Sequence, residues 1–151
     1  ARVMDLQHPE RKMSKSVESP LGTIGMLDTP AEVERKIKKA VTDTETEVRY
    51  DRATKPGVSN LLELLAAATG GDPAKLAAEF PNYGSLKNAV AEALVSMLDP
   101  VRRRYEELRA DPAEVERILA VGAAKARSVA GPVLDDAYRA AGLLPPPGGF
   151  A

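Results

Sequence analysis

The sequence predicts a mainly α-helical protein, a helical bundle preceded by one short strand and a loop rich in lysine and serine. Apolar residues recur at helical spacing, as in the segment 58–69, where they fall on one face. Helix start signals, a capping residue followed by proline, recur at 29–30 and 111–112. Only residues 1–6 have the pattern of extended chain. These observations place nearly all regular structure in helices.

The same patterns predict six helices. We expect them near residues 29–42, 58–69, 73–80, 86–108, 112–129 and 132–141. Pro100 lies inside the fourth, and an interior proline costs about 3 kcal/mol, which predicts a kink or a break there. The charged residues of the first helix, Lys36 among them, predict a mostly solvated surface. Tyr105 and Tyr138 fall on apolar stripes and are expected in the core, while Gly122 should let a neighbouring helix approach closely.

Composition limits the classes of protein. A chain of 151 residues can bury roughly 70% of its unfolded surface, which is enough for one sizeable domain. Its 21 basic and 22 acidic residues give a net charge of −1, so any contact with RNA must be a local patch. The absence of cysteine excludes disulfides and thiolate metal sites. The longest apolar run, 61–68, is too short to cross a bilayer. We expect a cytoplasmic protein that does not enter a membrane.

Residues 12–16, Lys-Met-Ser-Lys-Ser, form the most informative motif. Its two lysines are three positions apart in a hydroxyl-rich loop, where they can grip a polyphosphate as mobile point charges. Short motifs also arise by chance, and the same residues suit a solvated basic loop or a phosphorylation site. His8, the only histidine, is expected at the surface, because a lone histidine is seldom a metal ligand. No protein metal site is predicted.

Several blocks around this motif carry a resemblance to a known family. They are Val3-Met4-Asp5-Leu6, Lys12-Met13-Ser14-Lys15-Ser16, Lys36-Ile37-Lys38-Lys39-Ala40-Val41-Thr42-Asp43 and Lys55-Pro56-Gly57-Val58-Ser59-Asn60-Leu61-Leu62. In this order and at this spacing, the chain resembles the C-terminal half of the bacterial tryptophanyl-tRNA synthetases, which are class I aminoacyl-tRNA synthetases. The loop motif alone indicates only the class. The third and fourth blocks favour the tryptophan enzymes over their tyrosine relatives.

The resemblance implies three regions and a function. Residues 1–28 would be the last strand and the lysine loop of a Rossmann-like catalytic domain that is otherwise absent. Residues 29–143 would form the helical domain that binds the tRNA anticodon, and 144–151 a flexible tail rich in proline and glycine. The implied reaction is ATP-dependent activation of L-tryptophan to tryptophanyl-adenylate, followed by transfer to tRNA(Trp), with Mg²⁺ as a cofactor. The full-length enzyme would be a homodimer.

The resemblance also assigns roles within the loop. Lys12 and Lys15 would be catalytic, stabilising charge on the phosphates of ATP. The ATP contacts would be made by Val3, Lys12, Met13, Ser14, Lys15 and Ser16, with Val3 on the adenine side. Many relatives follow the loop with an acidic residue and asparagine, whereas this chain has Val17-Glu18-Ser19-Pro20, so the dynamics of the loop are expected to differ.

The strand at 1–6 has no evident sheet partner, so we expect the chain to be a piece that cannot activate tryptophan by itself. The alternative is a stand-alone helical module that binds RNA or protein without catalysis. Arginines 102–104 could hold tRNA phosphates, with Tyr83 stacking on bases and the patch extended by Lys87, Lys125, Arg127 and Arg139. Against this, Glu106 and Glu107 lie at the spacing for ion pairs with the first two arginines.

Overall fold

The structure is a computed structural model that describes residues 3–14, 16, 19–144 and 146. Within them lie five helices, which confirm the predicted mainly α-helical class. They are α1 (Pro30–Lys38), α2 (Pro56–Thr69), α3 (Pro73–Ala77), α4 (Tyr83–Ala110) and α5 (Pro112–Ala140). The chain divides into two compact units, Ala1–Arg103 and Arg104–Ala151. In place of the predicted strand, the described residues contain one isolated antiparallel bridge, between Met4 and Lys12.

The start of α1 is built as its sequence predicts. The Thr29 hydroxyl accepts a hydrogen bond from the Glu32 backbone N–H at 3.3 Å, and the Glu32 carboxylate accepts one from the Thr29 N–H at 2.8 Å. Hydrogen bonds from Thr29 lower the pKa of Glu32. The helix ends at Lys38, short of the predicted residue 42, because the following segment leaves the helix and Val41 donates its N–H to the Leu6 carbonyl at 2.8 Å.

Two interior prolines do not interrupt their helices. Helix α4 continues through Pro100, and α5 continues through Pro132. Of the predicted kink or break at Pro100, the break is therefore wrong, and the predicted sixth helix is the end of α5. A proline removes one N–H from the ladder, but in helices of 28 and 29 residues the turns on both sides propagate cooperatively across it.

The core of the first unit is centred on α2. Its apolar face is buried as predicted, and it packs with Leu6 and with apolar residues of α1 and α4. The fully buried members include Val33, Ile37, Val58, Leu61, Leu62, Leu86 and Val90. Leu98 is the last buried residue of α4, whereas Met97 and Val101, two apolar residues beside it, are both 44% exposed. Tyr105, in the second unit, is 42% exposed, so its predicted place in the core is wrong.

The second unit consists mainly of α5. Asp111 caps the helix by accepting a hydrogen bond from the Glu114 N–H at 3.1 Å, and Gly142, at φ +69°, ends it in the left-handed conformation that favours glycine. Among the described residues of α5, only Gly131 is buried. The predicted close neighbour of Gly122 is not found among the described atoms of this unit, since none lies within 4 Å of the position that a Cβ on this glycine would take. No helix in the described ranges is long and apolar enough to cross a membrane.

Candidate functional site

The loop motif begins on a segment that is paired with the chain just before it. In this paired segment (residues 3–13), the Asp5 N–H donates to the Arg11 carbonyl at 2.9 Å, and the Met13 N–H donates to the Val3 carbonyl at 3.0 Å. The turn is closed by a 2.8 Å bond from the Arg11 N–H to the His8 carbonyl. The extended chain at 3–6 therefore has a partner within the sequence, contrary to prediction, because the polypeptide turns back on itself.

The described members of the predicted ATP-binding set, Val3 and four residues of the loop, differ in exposure. Lys12 is exposed, whereas Val3 and Met13 are half-buried against the core. The Ser14 hydroxyl accepts a hydrogen bond from the Ser16 N–H at 3.3 Å. Lys15 lies outside the described residues. The loop therefore holds its apolar residues inward and presents the Lys12 ammonium to solvent.

The chain that follows the loop is hydrogen-bonded to the paired segment at Gly22. Its carbonyl accepts a hydrogen bond from the Leu6 N–H at 2.9 Å. A Cβ at this position would lie 2.3 Å from the carboxylate oxygens of Asp5, a buried residue whose Oδ1 accepts hydrogen bonds from the Gln7 and His8 N–H groups at 2.8 and 3.0 Å. Only glycine allows this approach. In addition, the Thr23 hydroxyl donates to the Ser14 carbonyl at 3.4 Å.

Helix α2 is hydrogen-bonded to the paired segment through one side chain, that of Asn60. The amide of Asn60, 3% exposed, accepts a hydrogen bond from the Met4 N–H at 3.0 Å and donates one to the Met4 carbonyl at 2.9 Å. Asn60 lies within one of the family blocks, but the sequence alone predicted no role for it. The signal that could have found it was a polar residue among the apolar residues of a helix that is buried nearly all round.

The start of α2 also holds the connection from α1. A Cβ on Gly57 would lie 2.1 Å from the Val41 carbonyl oxygen, so the absence of a side chain allows the connecting segment to cross directly over the helix. The Val41 N–H on the same segment donates to the Leu6 carbonyl. Residues 41–42 are therefore held between α2 and the paired segment.

A buried lysine fixes the next part of this connection. Lys55, 1% exposed, directs its Nζ to Glu45 at 2.6 Å, to the Tyr83 hydroxyl at 2.9 Å and to Asp43 at 3.1 Å. The Tyr83 hydroxyl also donates to Asp43 at 2.6 Å. These contacts join the connecting segment, the start of α2 and the start of α4. Tyr83, predicted as a possible base-stacking residue, has its hydroxyl committed to this cluster.

The hydrogen bonds of the cluster shift the pKa values of Lys55, Asp43 and Tyr83. Burial alone would lower the pKa of Lys55, but its hydrogen bonds to Glu45, Tyr83 and Asp43 outweigh burial and hold the pKa above its ordinary value. Burial would raise the pKa of Asp43, yet the hydrogen bonds from Tyr83 and Lys55 lower it. Burial and the hydrogen bond to Asp43 raise the pKa of Tyr83. At neutral pH the cluster therefore contains the charged Lys55 and Asp43 side chains and the neutral Tyr83 phenol, with Glu45 as the second carboxylate that pairs with Lys55.

A second ion pair stabilises the chain that leaves the loop. Asp28 Oδ2 accepts hydrogen bonds from the Lys36 Nζ at 2.5 Å and from the Gly25 N–H at 2.8 Å. The two charged side chains are only 11% and 16% exposed. The prediction that Lys36 belongs to a solvated face is wrong, because a turn eight residues earlier in the sequence supplies a carboxylate that covers it.

An open cleft of about 820 Å³ lies where α2 meets the paired segment. Met4, Pro9, Arg52 and Asn60 are among the residues that line it. On its wall, Glu63 accepts hydrogen bonds from the Tyr50 hydroxyl at 2.9 Å and from Arg52 Nε at 2.6 Å. The hydrogen bond to Glu63 raises the pKa of Tyr50.

Comparison with known proteins decides the family. A sequence model of the family described as "tRNA synthetases class I (W and Y)" matches residues 1–99, and therefore includes the loop, the connecting segment and α2. The chain belongs to the class I tRNA synthetases for tryptophan and tyrosine. The predicted resemblance is confirmed.

Similar members of this family are tryptophan enzymes. Tryptophan–tRNA ligase 1 of Streptomyces coelicolor is 53% identical over 146 residues, which are 97% of this chain and 44% of that protein. Tryptophan–tRNA ligase of Mycobacterium leprae is 47% identical over 147 residues, 96% of this chain and 43% of that protein. The solved structure of tryptophanyl-tRNA synthetase from Mycoplasma pneumoniae superposes with a TM-score of 0.81 at 32% identity, covering 95% of this chain and 44% of that one. The chain thus spans less than half the length of these relatives.

Most of the basic residues predicted to contact tRNA form ion pairs or hydrogen bonds within the chain. Arg102 and Arg103 both pair with Asp99 at 2.7 Å, in place of the predicted glutamates four residues later. In the second unit, Arg104 pairs with Glu107 at 3.0 Å. Lys87 donates to the Lys38 and Ala40 carbonyls at 3.2 and 2.8 Å, and burial lowers the pKa of Lys87. This lysine caps the end of α1 and is poorly placed to extend an RNA-binding patch.

Proposed function

We propose that this chain is part of a tryptophan–tRNA ligase and that its lysine loop acts on ATP during tryptophan activation. The family match and the similarity to tryptophan enzymes support this assignment. The observation that supports this role of the loop is an exposed lysine on a backbone that is held by hydrogen bonds. Lys12 is exposed within a short backbone ladder, between Arg11, which is hydrogen-bonded to Asp5, and Met13, which is hydrogen-bonded to Val3 and packs on the core. The next residue, Ser14, accepts a hydrogen bond from Thr23. An exposed cation on an anchored backbone suits a phosphate that must be held at a defined position.

The chemistry is attack by the tryptophan carboxylate on the α-phosphorus of ATP. A P–O bond forms to the carboxylate, and the bond to the β-phosphate oxygen breaks, so pyrophosphate leaves with additional negative charge. The Lys12 ammonium, together with Lys15, stabilises that charge. Ser14 and Ser16 add neutral hydrogen bonds, Met13 anchors the loop in the core, and Val3 borders the adenine. Loss of one such contact typically lowers the rate by about 10²–10³-fold.

Further parts of the proposal extend beyond the loop. Mg²⁺ is carried by the phosphates of ATP, in keeping with its preference for phosphate oxygens. The described residues contain no group of three or more His, Cys, Asp or Glu that could hold a metal ion. The helices within residues 29–143 bind the anticodon of tRNA(Trp). The tail predicted at 144–151 lies mostly outside the described residues. The complete ligase works in the cytoplasm as a homodimer.

The test is tryptophan-dependent exchange of pyrophosphate into ATP, measured on the full-length natural polypeptide that carries these residues. Lys12→Ala should lower the exchange rate by about 10²–10³-fold, because a charge on the leaving pyrophosphate loses its partner. Lys75→Ala is the matched control, since Lys75 is also exposed but lies on α3. Equal rates for wild type and Lys12→Ala would overturn the role of the loop. No exchange by the wild type would favour a binding module without catalysis.

A further inference from the structure

We propose that Asn60 is a positioning residue, which sets the location of Lys12 by holding the backbone of Met4 from the opposite side. This inference rests on the proposed function, because Lys12 is the group whose position matters there. Asn60 does not contact Lys12. It acts through the backbone of residue 4, which pairs with residue 12.

The register of the paired segment shows why this link is direct. Its ladder bonds run from Asp5 to Arg11 and from Met13 to Val3, on either side of the pair Met4–Lys12. In an antiparallel ladder, a pair flanked in this way is non-hydrogen-bonded, and the N–H and C=O of both residues point outward. The outward-facing groups of Met4 are the two that Asn60 satisfies. The Asn60 side chain thus takes the place of a neighbouring strand.

The chemistry of this position suits an amide. Met4 offers one donor and one acceptor, and the carbonyl oxygen and NH₂ group of a single amide side chain satisfy the two together. An aspartate could accept from the Met4 N–H but would place a carboxylate against the Met4 carbonyl. A leucine of similar size would leave both groups without a partner in a place where the side chain is 3% exposed.

This link is the polar attachment of α2 to the loop. Among the described residues, the hydrogen bonds that side chains of α2 make to residues 3–13 all come from Asn60. The neighbouring polar residue Ser59, 1% exposed, instead accepts a hydrogen bond from the Asp51 N–H at 2.9 Å. Ser59 is therefore a matched control: it is equally buried, lies on the same helix and binds backbone, but it holds a different segment.

The experiment is a double-mutant cycle in the full-length natural polypeptide, with tryptophan-dependent ATP–pyrophosphate exchange as the readout. Asn60→Leu and Asn60→Asp should lower kcat by about 10- to 100-fold, since a small misplacement of a catalytic group has an effect of that size. Ser59→Ala should lower kcat by less than about threefold, because it removes one hydrogen bond remote from the loop. In a Lys12→Ala background, Asn60→Leu should cost less than about threefold more, because the two residues act as a unit. Additive effects, or an Asn60→Leu variant as active as wild type, would overturn the inference.

Amide hydrogen exchange separates this inference from the proposed function. The Asp5 and Met13 N–H groups do not touch Asn60, yet they form the ladder on either side of Lys12. Asn60→Leu should speed hydrogen exchange at these two amides by about tenfold or more, because the ladder then opens more easily. Ser59→Ala should leave the hydrogen-exchange rates of both amides unchanged. Unchanged exchange at both amides would overturn the positioning role even in an inactive protein. A wild type without tryptophan-dependent exchange activity would refute the proposed function, whichever result the amides give.

Discussion

Replacing Gly57 by alanine tests the close crossing of α2 and the connecting segment. In most helix positions alanine is more favourable than glycine by up to about 1 kcal/mol, because it loses less conformational freedom on folding. Here a Cβ would lie 2.1 Å from the Val41 carbonyl oxygen and 3.1 Å from the Val41 carbonyl carbon. Carbon–oxygen contacts begin near roughly 3.3 Å, so this backbone carbonyl must retreat by about 1 Å. A backbone group cannot rotate away as the end of a side chain can.

The net effect follows from three contributions. Overpacking against a fixed neighbour costs about 1–3 kcal/mol. Moving residue 41 also weakens the 2.8 Å hydrogen bond from its N–H to the Leu6 carbonyl, which contributes about 1 kcal/mol. The helix propensity of alanine returns at most about 1 kcal/mol. We therefore expect Gly57→Ala to lower the free energy of unfolding by about 1–3 kcal/mol, and Tm by roughly 2–4 °C for each kcal/mol.

Urea and thermal denaturation of the 151-residue chain, followed by circular dichroism, measure this change. Gly122→Ala is the matched control, because it is also a helical glycine, and within its own unit no described atom lies within 4 Å of the position of a new Cβ. That variant should be as stable as wild type or more stable by up to about 1 kcal/mol. If Gly57→Ala were also stabilising, the close approach of Val41 to α2 would be refuted.

Three other predictions concern ion pairs and activity. Lys36→Met should lower the free energy of unfolding by about 1–3 kcal/mol, because it leaves the covered Asp28 carboxylate without its cationic partner. Lys38→Met, which breaks an exposed pair, should change the free energy of unfolding by less than about 0.5 kcal/mol. Equal effects of the two substitutions in urea titrations would contradict this prediction. The pKa of Asp43 is held below its ordinary 3.8, so its stabilising effect is present above pH 3.8 and is lost as the pH falls through the folded-state pKa. Asp43→Asn should accordingly have a lower Tm than wild type at pH 7, and the gap should narrow below pH 3.8; a gap independent of pH would refute the cluster. The 151-residue chain alone should show no tryptophan-dependent ATP–pyrophosphate exchange, and detectable exchange would show that it holds a complete site.

Local signals predicted the parts of the fold that depend on neighbouring residues. The capping box at Thr29 and the buried face of α2 follow from patterns within one helix, and both are present. The loop motif likewise located the candidate site, because its residues are consecutive. The end of α1 at Lys38 and the continuity of α5 through Pro132 were missed. The first depends on a hydrogen bond to the distant Leu6, and the second on cooperative helix formation across Pro132.

The side chains that hold the loop could not be predicted, because their partners are remote in sequence. Asn60 binds a backbone group 56 residues earlier, and Lys55 reaches Tyr83 28 residues later. Lys36 was assigned to a solvated face from the charges around it, although Asp28 covers it. In each case the burial of a polar residue is decided by another segment of the chain. A polar side chain within an apolar helix was the one available signal.

The most direct test of the proposed function is attachment of amino acid to tRNA by the full-length natural polypeptide that carries these residues. Purified protein would be supplied with ATP, Mg²⁺, tRNA(Trp) or tRNA(Tyr) transcripts, and labelled tryptophan or tyrosine. We expect tryptophan to be attached to tRNA(Trp), and attachment to slow strongly when Lys12 is replaced by alanine. Attachment of tyrosine in place of tryptophan, or no attachment of either, would contradict the proposal.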